Sequence, residues 1–486
     1  MSESIAEMVL PGTYIEVRAE GLISVGGITT GNIGIIGTAS RGPVGKVVPL
    51  GSLAEAVAIF GQPDAFTSPR KAGAPLSLTR TLSQAYGSGA QNVFAIRIAN
   101  GNPAAATLAL KAAGDKAAFT LTARGIAGED GAEIENSSGT WGQDIKVEIV
   151  ADPTTDPASW RVVVAGGALR EVYTGANVGD IHDKIASSKL VSVGNVSNGG
   201  DGFVPIGPTA LTGGTDGADV NASHVGDALA LLEPETINIL LIAGLGANVV
   251  GTKVLGHLDR TEAEGRERIA VLGAQASGDA NSAQKVLDDA AATSDDRIVL
   301  VAPGVADTET NPTDGQPLQV VLPPPYLAAA VAGKLSTLAP HISLTNKVLA
   351  VTPDVRYSTT LTQQLLQAHV LIVRQKVGNQ VVKGITTSPP PFDQITIRRT
   401  VDYAKAGVRL GADPYIGRLN NARVRAALRA TLDGFLSQMV LDEMLVSYDL
   451  AVSATRAQER AGICSVVMTL RPTFSIDFIR VTMNLE

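Results

Sequence analysis

Apolar positions along the chain follow two rhythms, short continuous runs and helical spacing. Residues 31–37 read GNIGIIG, where Ile33, Ile35 and Ile36 among small neighbours suit a buried strand. Helical spacing follows over 53–60 (LAEAVAIF) and 76–86, and 92–98 (NVFAIRI) returns to a strand. This β–α–α–β run opens an α/β layer. After Asn100 the runs shorten and alternate: FTLTA at 119–123, IKVEIV at 145–150 and WRVVVAG at 160–166, with one helical pattern over 178–186. The region is rich in Gly, Ala, Thr, Ser and Val. It reads as an inserted, mainly β domain closed by the turn-rich LTGGTDG at 211–217.

The first rhythm then resumes. Helices are predicted over 222–232, 251–265 and 280–292, separated by apolar strands at 237–242, 268–272 and 297–302. Apolar strands separated by helices imply a parallel sheet covered on both faces. In the last third, Pro323, Pro324 and Pro325 precede an Ala-rich helix over 326–335, and 370–374 and 381–385 flank KVGNQ as a hairpin with a Gly-Asn turn. Helices are expected over 398–408 and 422–446. Along the second, Val424, Leu428, Leu432, Phe435 and Met439 form an apolar stripe, while Arg418, Arg425 and Arg429 fall on a different face. Extended patterns at 13–17 (TYIEV), 465–470 and 476–485 complete the chain. The first and last of these have no evident hairpin partner, so each must pair with something distant, in this chain or in another copy.

Composition narrows the class. The chain has 486 residues, long enough for two to four domains at roughly 150 residues each. Hydrophobic residues make up 45% and aromatics only 4%, so the core is built from aliphatic side chains. A net charge of −8 lacks the basic footprint that nucleic acid requires and helps to keep free subunits soluble. The one cysteine, Cys464, excludes a disulfide framework within the chain, and its surroundings GICSVVM read as those of a buried thiol. MSESIAEMVLPG lacks the basic start and apolar run of a signal peptide. The longest apolar stretch, from Ile237 to Gly251, is too short and too broken by Gly and Asn for a membrane span. A soluble protein made in the cytoplasm is expected.

Candidate chemistry is sparse. The sequence contains no GxSxG, HExxH, CxxC or phosphate-loop motif, and the histidines His182, His224, His257, His341 and His369 show no metal-ligand spacing. GLGANVVG places Gly244 and Gly246 after an apolar strand, as a dinucleotide loop would. Its third glycine, Gly251, falls too late, and no acid stands about 20 residues on. A tight turn between strand and helix is the stronger reading. His257 beside Asp259 and Arg260 reads as part of a solvated helix face. Neither a catalytic residue nor a cofactor or metal is expected. The rival classes are a nucleotide-dependent α/β enzyme built on Gly244 and Gly246, and a non-contractile virion protein.

Several segments together resemble one family, the contractile tail sheath proteins of bacteriophages and related injection systems. PGTYIEV (11–17) resembles its opening strand. GNIGIIGTASRGP (31–43) is similar to its first core strand and following loop. GTWGQDIKV (139–147) and LTGGTDG (211–217) resemble the entrance and exit of its variable β domain. INILLIAG (237–244), SDDRIVLVAPG (294–304), QITIRRTVDYAK (394–405), DGFLSQMVLDEML (433–445) and IDFIRVTMNL (476–485) follow in the family's order. PPPYLAAAVAG (323–333) and VVKGITTSP (381–389) depart from the family's usual stretches.

The resemblance implies an α/β and α+β multidomain fold. An N-terminal arm spans 1–24, and an α/β core is assembled from 25–102 and 219–339. An outward-facing β domain is inserted at 103–218, and a C-terminal sheath domain covers 340–486. It implies stacked hexameric rings around an inner tail tube, with baseplate and terminator proteins as further partners, in a virion tail assembled in the host cytoplasm. No nucleic acid and no membrane insertion are expected. Strand exchange between copies then falls to Tyr14, Ile15 and Val17 at one end and to Ile476, Phe478, Ile479 and Val481 at the other. Arg418, Arg425 and Arg429 become candidate tube contacts.

Overall fold

The structure, a computed structural model, describes residues 27–64, 76–124, 138–152, 159–275, 283–310 and 315–485. The arm residues Tyr14, Ile15 and Val17 lie outside the described residues. The chain divides into two compact units. One holds residues 29–398 with 476–485, and the other residues 27–28 with 399–475.

The larger unit opens with β1 (Ile33–Gly37), β2 (Val47–Leu50), α1 (Leu53–Phe60), α2 (Leu78–Gly87) and β3 (Val93–Arg97). Helix α1 starts where Ser52 accepts a hydrogen bond from the Glu55 amide, a capping arrangement that satisfies one of the free N–H groups of the first turn. After the inserted region come α4 (Ala222–Leu232), β11 (Ile239–Ile242), α5 (Ala247–Ala263), β12 (Ile269–Gly273), α6 (Ala283–Ala292) and β13 (Ile298–Ala302). The hairpin β14 (Val305–Thr310) and β15 (Pro317–Leu322), α7 (Pro324–Ser336), β16 (Thr352–Pro353), α8 (Thr359–Gln367), β17 (Val370–Lys376) and β18 (Gly378–Val381) follow.

The main sheet has eight strands in the order β18-β17-β13-β12-β11-β1-β3-β2, with only the outermost strands, β18 and β2, pairing antiparallel. Its inner strands carry aliphatics on both faces, and period-two geometry divides them. Ile33, Ile35, Ile239, Leu241, Val271, Val299 and Val301 face one core, with α1, α2 and α7. Ile36, Leu240, Ile242, Leu272, Ile298 and Leu300 face the other, with α4, α5, α6 and α8. Helix α7 is apolar all round and almost wholly buried. It begins on Pro324 and Pro325, whose missing amides cost nothing in a first helical turn. Gly273 makes room for that start, since a Cβ there would stand 2.1 Å from the Pro325 nitrogen.

The inserted region holds β4 (Thr107–Ala112), β5 (Lys116–Ala123), β6 (Lys146–Asp152), β7 (Ser159–Gly166), β8 (Leu169–Gly175), α3 (Val178–Ile185), β9 (Val191–Val193) and β10 (Ile206–Ala210). They form two antiparallel sheets, β4-β5-β9 and β10-β6-β7-β8, around a separate core that includes Leu121, Val147, Val162, Ile181 and Phe203. Arg97, at the end of β3, ties this region to the sheet. It is fully buried, and its guanidinium donates to the carbonyls of Gly42, Ser138 and Asp216 at 2.8, 3.0 and 3.4 Å. Burial pulls its pKa down to about 10.

Helix α9 (Ile395–Ala412) leads into the smaller unit, which contains α10 (Ala422–Leu441), β19 (Leu445–Ser453), α11 (Arg456–Arg460) and β20 (Ser465–Pro472). Five expectations change here and at the β17–β18 hairpin. The helix expected to reach 446 stops at Leu441, because Glu443 takes φ +61° and turns the chain into β19. The hairpin β17–β18 turns at Val377, with Gly378 at φ +86° and Asn379 already paired to Gln375, so the turn is not Gly-Asn. Residues 382–385 carry no strand, and Cys464 is half-buried rather than buried. The segment 476–485 forms no strand either, since no described strand lies alongside it.

Candidate assembly surfaces

An open α/β sheet offers ligands the crevice at the carboxyl ends of its strands, where the strand order reverses. In this sheet that point lies between β1 and β11, and it is filled. Ser77 closes on Thr38, its amide donating to the Thr38 carbonyl at 3.1 Å and its hydroxyl lying 3.2 Å from the Thr38 hydroxyl. Gly244 has φ +72°, and a Cβ there would stand 2.7 Å from the Ser77 Cβ and 3.7 Å from the hydroxyl of fully buried Tyr326. Gly246 caps α5. The two glycines allow close packing of strand, helix and neighbouring loop. Around Tyr326, Arg80 bonds Glu309 at 2.9 Å and Asp64 at 3.1 Å, occupying the remaining charge at this end of the sheet.

His257 is fully buried, not on a solvated helix face. Its Nε2 faces Arg268 Nη1 at 3.1 Å, and its Nδ1 lies 3.8 Å from Glu233. Burial first, then the Arg268 charge, lowers its pKa to about 4, so the ring is neutral at pH 7 and accepts the arginine's proton at Nε2. Arg268 and Arg297 begin β12 and β13, and Arg297 pairs with Glu262 at 2.7 Å. This is a structural lattice at the amino ends of the strands, with no nucleophile in it. Among the described residues no group of three or more His, Cys, Asp or Glu is disposed to hold a metal, and no helix is long and apolar enough to cross a membrane.

The smaller unit is organised around α10. Leu428, Leu432, Phe435 and Met439 of the expected stripe are buried, and Val424 is half-buried. Phe435 stacks on Tyr403 at 5.9 Å and presses on Gly407 of α9, where a Cβ would stand 2.0 Å from its ring. Of the three candidate arginines, Arg425 bonds Glu459 at 3.0 Å and the Asn420 side chain at 2.8 Å, leaving 17% of its side chain exposed. It braces the loop before α10. On that loop Arg418 is exposed, stacks on Tyr415 and donates to the Pro414 carbonyl. Ile416 and Leu419 flank it, 79% and 77% exposed. Arg429 is exposed one turn further on. It lines a groove of about 440 Å3 with Asp433, Tyr448, Asp449, Leu450, Ala451, Val467 and Thr469. Arg398 and Arg399, which begin this basic stretch in the sequence, are buried.

β19 and β20 pair over their whole length, and among the described residues no other strand pairs with either outer edge of this two-stranded sheet. Such edges are templates for a further strand. The segment 476–485 carries no regular secondary structure, and Ile476, Phe478, Ile479 and Val481 are each more than 70% exposed. The four residues share one segment, and among the described residues nothing covers them. Asp477, which sequence reasoning passed over, is their buried neighbour. The signal was present, because it is the lone acid in IDFIRVTMNL.

The fold, a mixed α/β chain with several sheets, is similar to those of solved sheath proteins. The sheath tail protein of Desulfitobacterium hafniense superposes with a TM-score of 0.65 at 17% identity, covering 95% of this chain and 100% of that one. That of Listeria innocua gives 0.59 at 15%, covering 91% and 95%. The anti-feeding prophage helical sheath in its contracted state gives 0.55 at 14%, covering 98% and 99%. Residues 387–486 match the family model of the phage tail sheath C-terminal domain. The resemblance read from the sequence is thus borne out. No curated protein matches the chain.

Proposed function

We propose that this chain is the subunit of a contractile tail sheath. It polymerises as stacked six-membered rings around an inner tube and shortens to drive that tube through a target envelope. The observation that carries this reading is the coexistence of a hairpin, β19–β20, with an exposed apolar segment, 476–485, neither of which has a further strand partner among the described residues. Strand addition between copies satisfies both at once. The match to the sheath C-terminal domain spans the hairpin and the segment together, and the similar folds include sheaths from contractile injection systems.

In this reading Ile476, Phe478, Ile479 and Val481 enter a neighbour's sheet, and Tyr14, Ile15 and Val17 do the same from the other end. Main-chain ladders keep the lattice connected while the subunits rotate, and the gain per subunit sums along the polymer. Arg418 and Arg429, with Arg425 bracing their loop, form the contact with an acidic face of the tube. Baseplate and terminator proteins cap the polymer, which resides in a virion tail or a related injection particle assembled in the host cytoplasm.

Deleting 476–486 tests the reading. The truncated chain should stay folded and monomeric by sedimentation, while the full chain forms hollow striated cylinders in negative stain. Normal cylinders from the truncated chain would overturn strand exchange by this segment.

A further inference from the structure

In the closing segment the usual order of burial is inverted. Phe478 is 86% exposed and Ile476 80%, yet the carboxylate between them is sheltered, with only 9% of the Asp477 side chain exposed. Three separate stretches of the larger unit converge on it. The Thr345 hydroxyl donates to Oδ1 at 3.2 Å, the Gln394 amide donates to Oδ2 at 3.4 Å, and Lys383 Nζ lies 4.0 Å from Oδ2. The receiving site is itself built. Thr345 Oγ1 accepts from the Gly384 amide at 3.1 Å and from the Ser343 hydroxyl at 3.0 Å, and Lys383 is also held by Asp393 at 3.6 Å. Donors aimed at an ionised carboxylate bind it more strongly than they would a neutral acceptor, and here they reach it from three sides. The segment is therefore fixed at one point and bare on either side of it.

We propose that Asp477 is a latch that sets where the exchanging strand leaves its own subunit and in which direction it points. This inference rests on the strand-exchange reading above. With the latch closed, the free arm begins at Phe478, and its residues 478–485 span at most about 26 Å when extended. With the latch open, the arm gains the residues around Asp477 and loses its fixed direction. A longer, undirected arm presents its strand to a neighbour's edge at lower effective concentration. Asp477 thus acts as a positioning residue. It makes no contact with the partner sheet, and it raises the rate at which the correct edge is found.

The test uses the full chain with Cys464→Ser, carrying spin labels at Ile479→Cys and at Gln363→Cys on the exposed side of α8. The distance distribution between them should be narrow, and Asp477→Ala should broaden it without loss of helical circular dichroism. Unlabelled Asp477→Ala chains should assemble about threefold more slowly, as followed by light scattering. Asp477→Asn, which keeps an acceptor for Thr345, should fall between the two. A distribution that stays narrow in Asp477→Ala overturns the latch. A broadened distribution with unchanged assembly rate overturns its positioning role. If chains lacking 476–486 assemble normally, strand exchange fails on its own account, while the spin-label result still decides whether the latch exists.

Discussion

β13 and the closing segment 476–485 have similar apolar content and opposite fates. Ile298, Val299, Leu300, Val301 and Ala302 are wholly buried between two layers of helices. Ile476, Phe478, Ile479 and Val481 stand in solvent. β13 lies within a parallel sheet whose neighbours, β12 and β17, belong to the same chain. The closing segment is held at Asp477 and pairs with no described strand. An apolar run thus indicates that a surface will be covered, but not whether the cover comes from the same molecule.

Substitutions can break or sharpen this contrast. The largest difference is expected between Leu300→Ala and Ile479→Ala. The first should cost about 3 kcal/mol of folding stability, because the packed core cannot refill the space. The second should change stability by less than about 0.5 kcal/mol and act on polymerisation instead. Chemical denaturation of both variants, read beside pelleting assays, checks this, and equal losses at the two sites would erase the distinction.

His257 supplies a pH-dependent effect of similar size. Its folded pKa, about 4, lies below the ordinary 6.5, so the folded chain holds fewer protons there than the unfolded one. The contribution is full above pH 6.5 and is lost as pH falls towards 4, by up to about 3 kcal/mol. His257→Gln should flatten the stability profile across that window.

Arg97→Met should cost about 2 kcal/mol by leaving the carbonyls of Gly42, Ser138 and Asp216 without their donor. It should also speed proteolysis in 212–217. The smallest effect on folding is expected for Arg418→Glu with Arg429→Glu, within about 0.5 kcal/mol because both side chains are exposed. That pair should weaken docking to the tube, as measured by tube-templated assembly.

The core strands and their helices were legible because their signal is local. The runs at 33–36 and 297–302 need only alternation and a flanking helix to be read. β2 and β8 escaped notice: β2 is four residues at a sheet edge, and β8 (LREVYTG) carries polar residues on its exposed positions. The sequence likewise gave no sign that His257 would be buried, because the surroundings that bury it, Arg268 and Glu233, converge from β12 and the end of α4. The alternation in 476–485 reads as a strand, but a strand is a property of a pair, and the structure shows none there. Arg425 showed its charge in the sequence and not its partners, Glu459 and Asn420.

The inserted β region leaves and rejoins the sheet at almost the same point. The Asn100 amide bonds the Gly217 carbonyl at 2.7 Å, and the Ala104 carbonyl accepts from both Gly139 and Thr215 at 3.0 Å. The region is therefore a cartridge on a narrow socket. Its two strands of attachment hold each other, so its size, charge and decoration can change without moving β3 or β11. Whatever this inserted module meets, the sheet that carries it need not be rebuilt to meet something else.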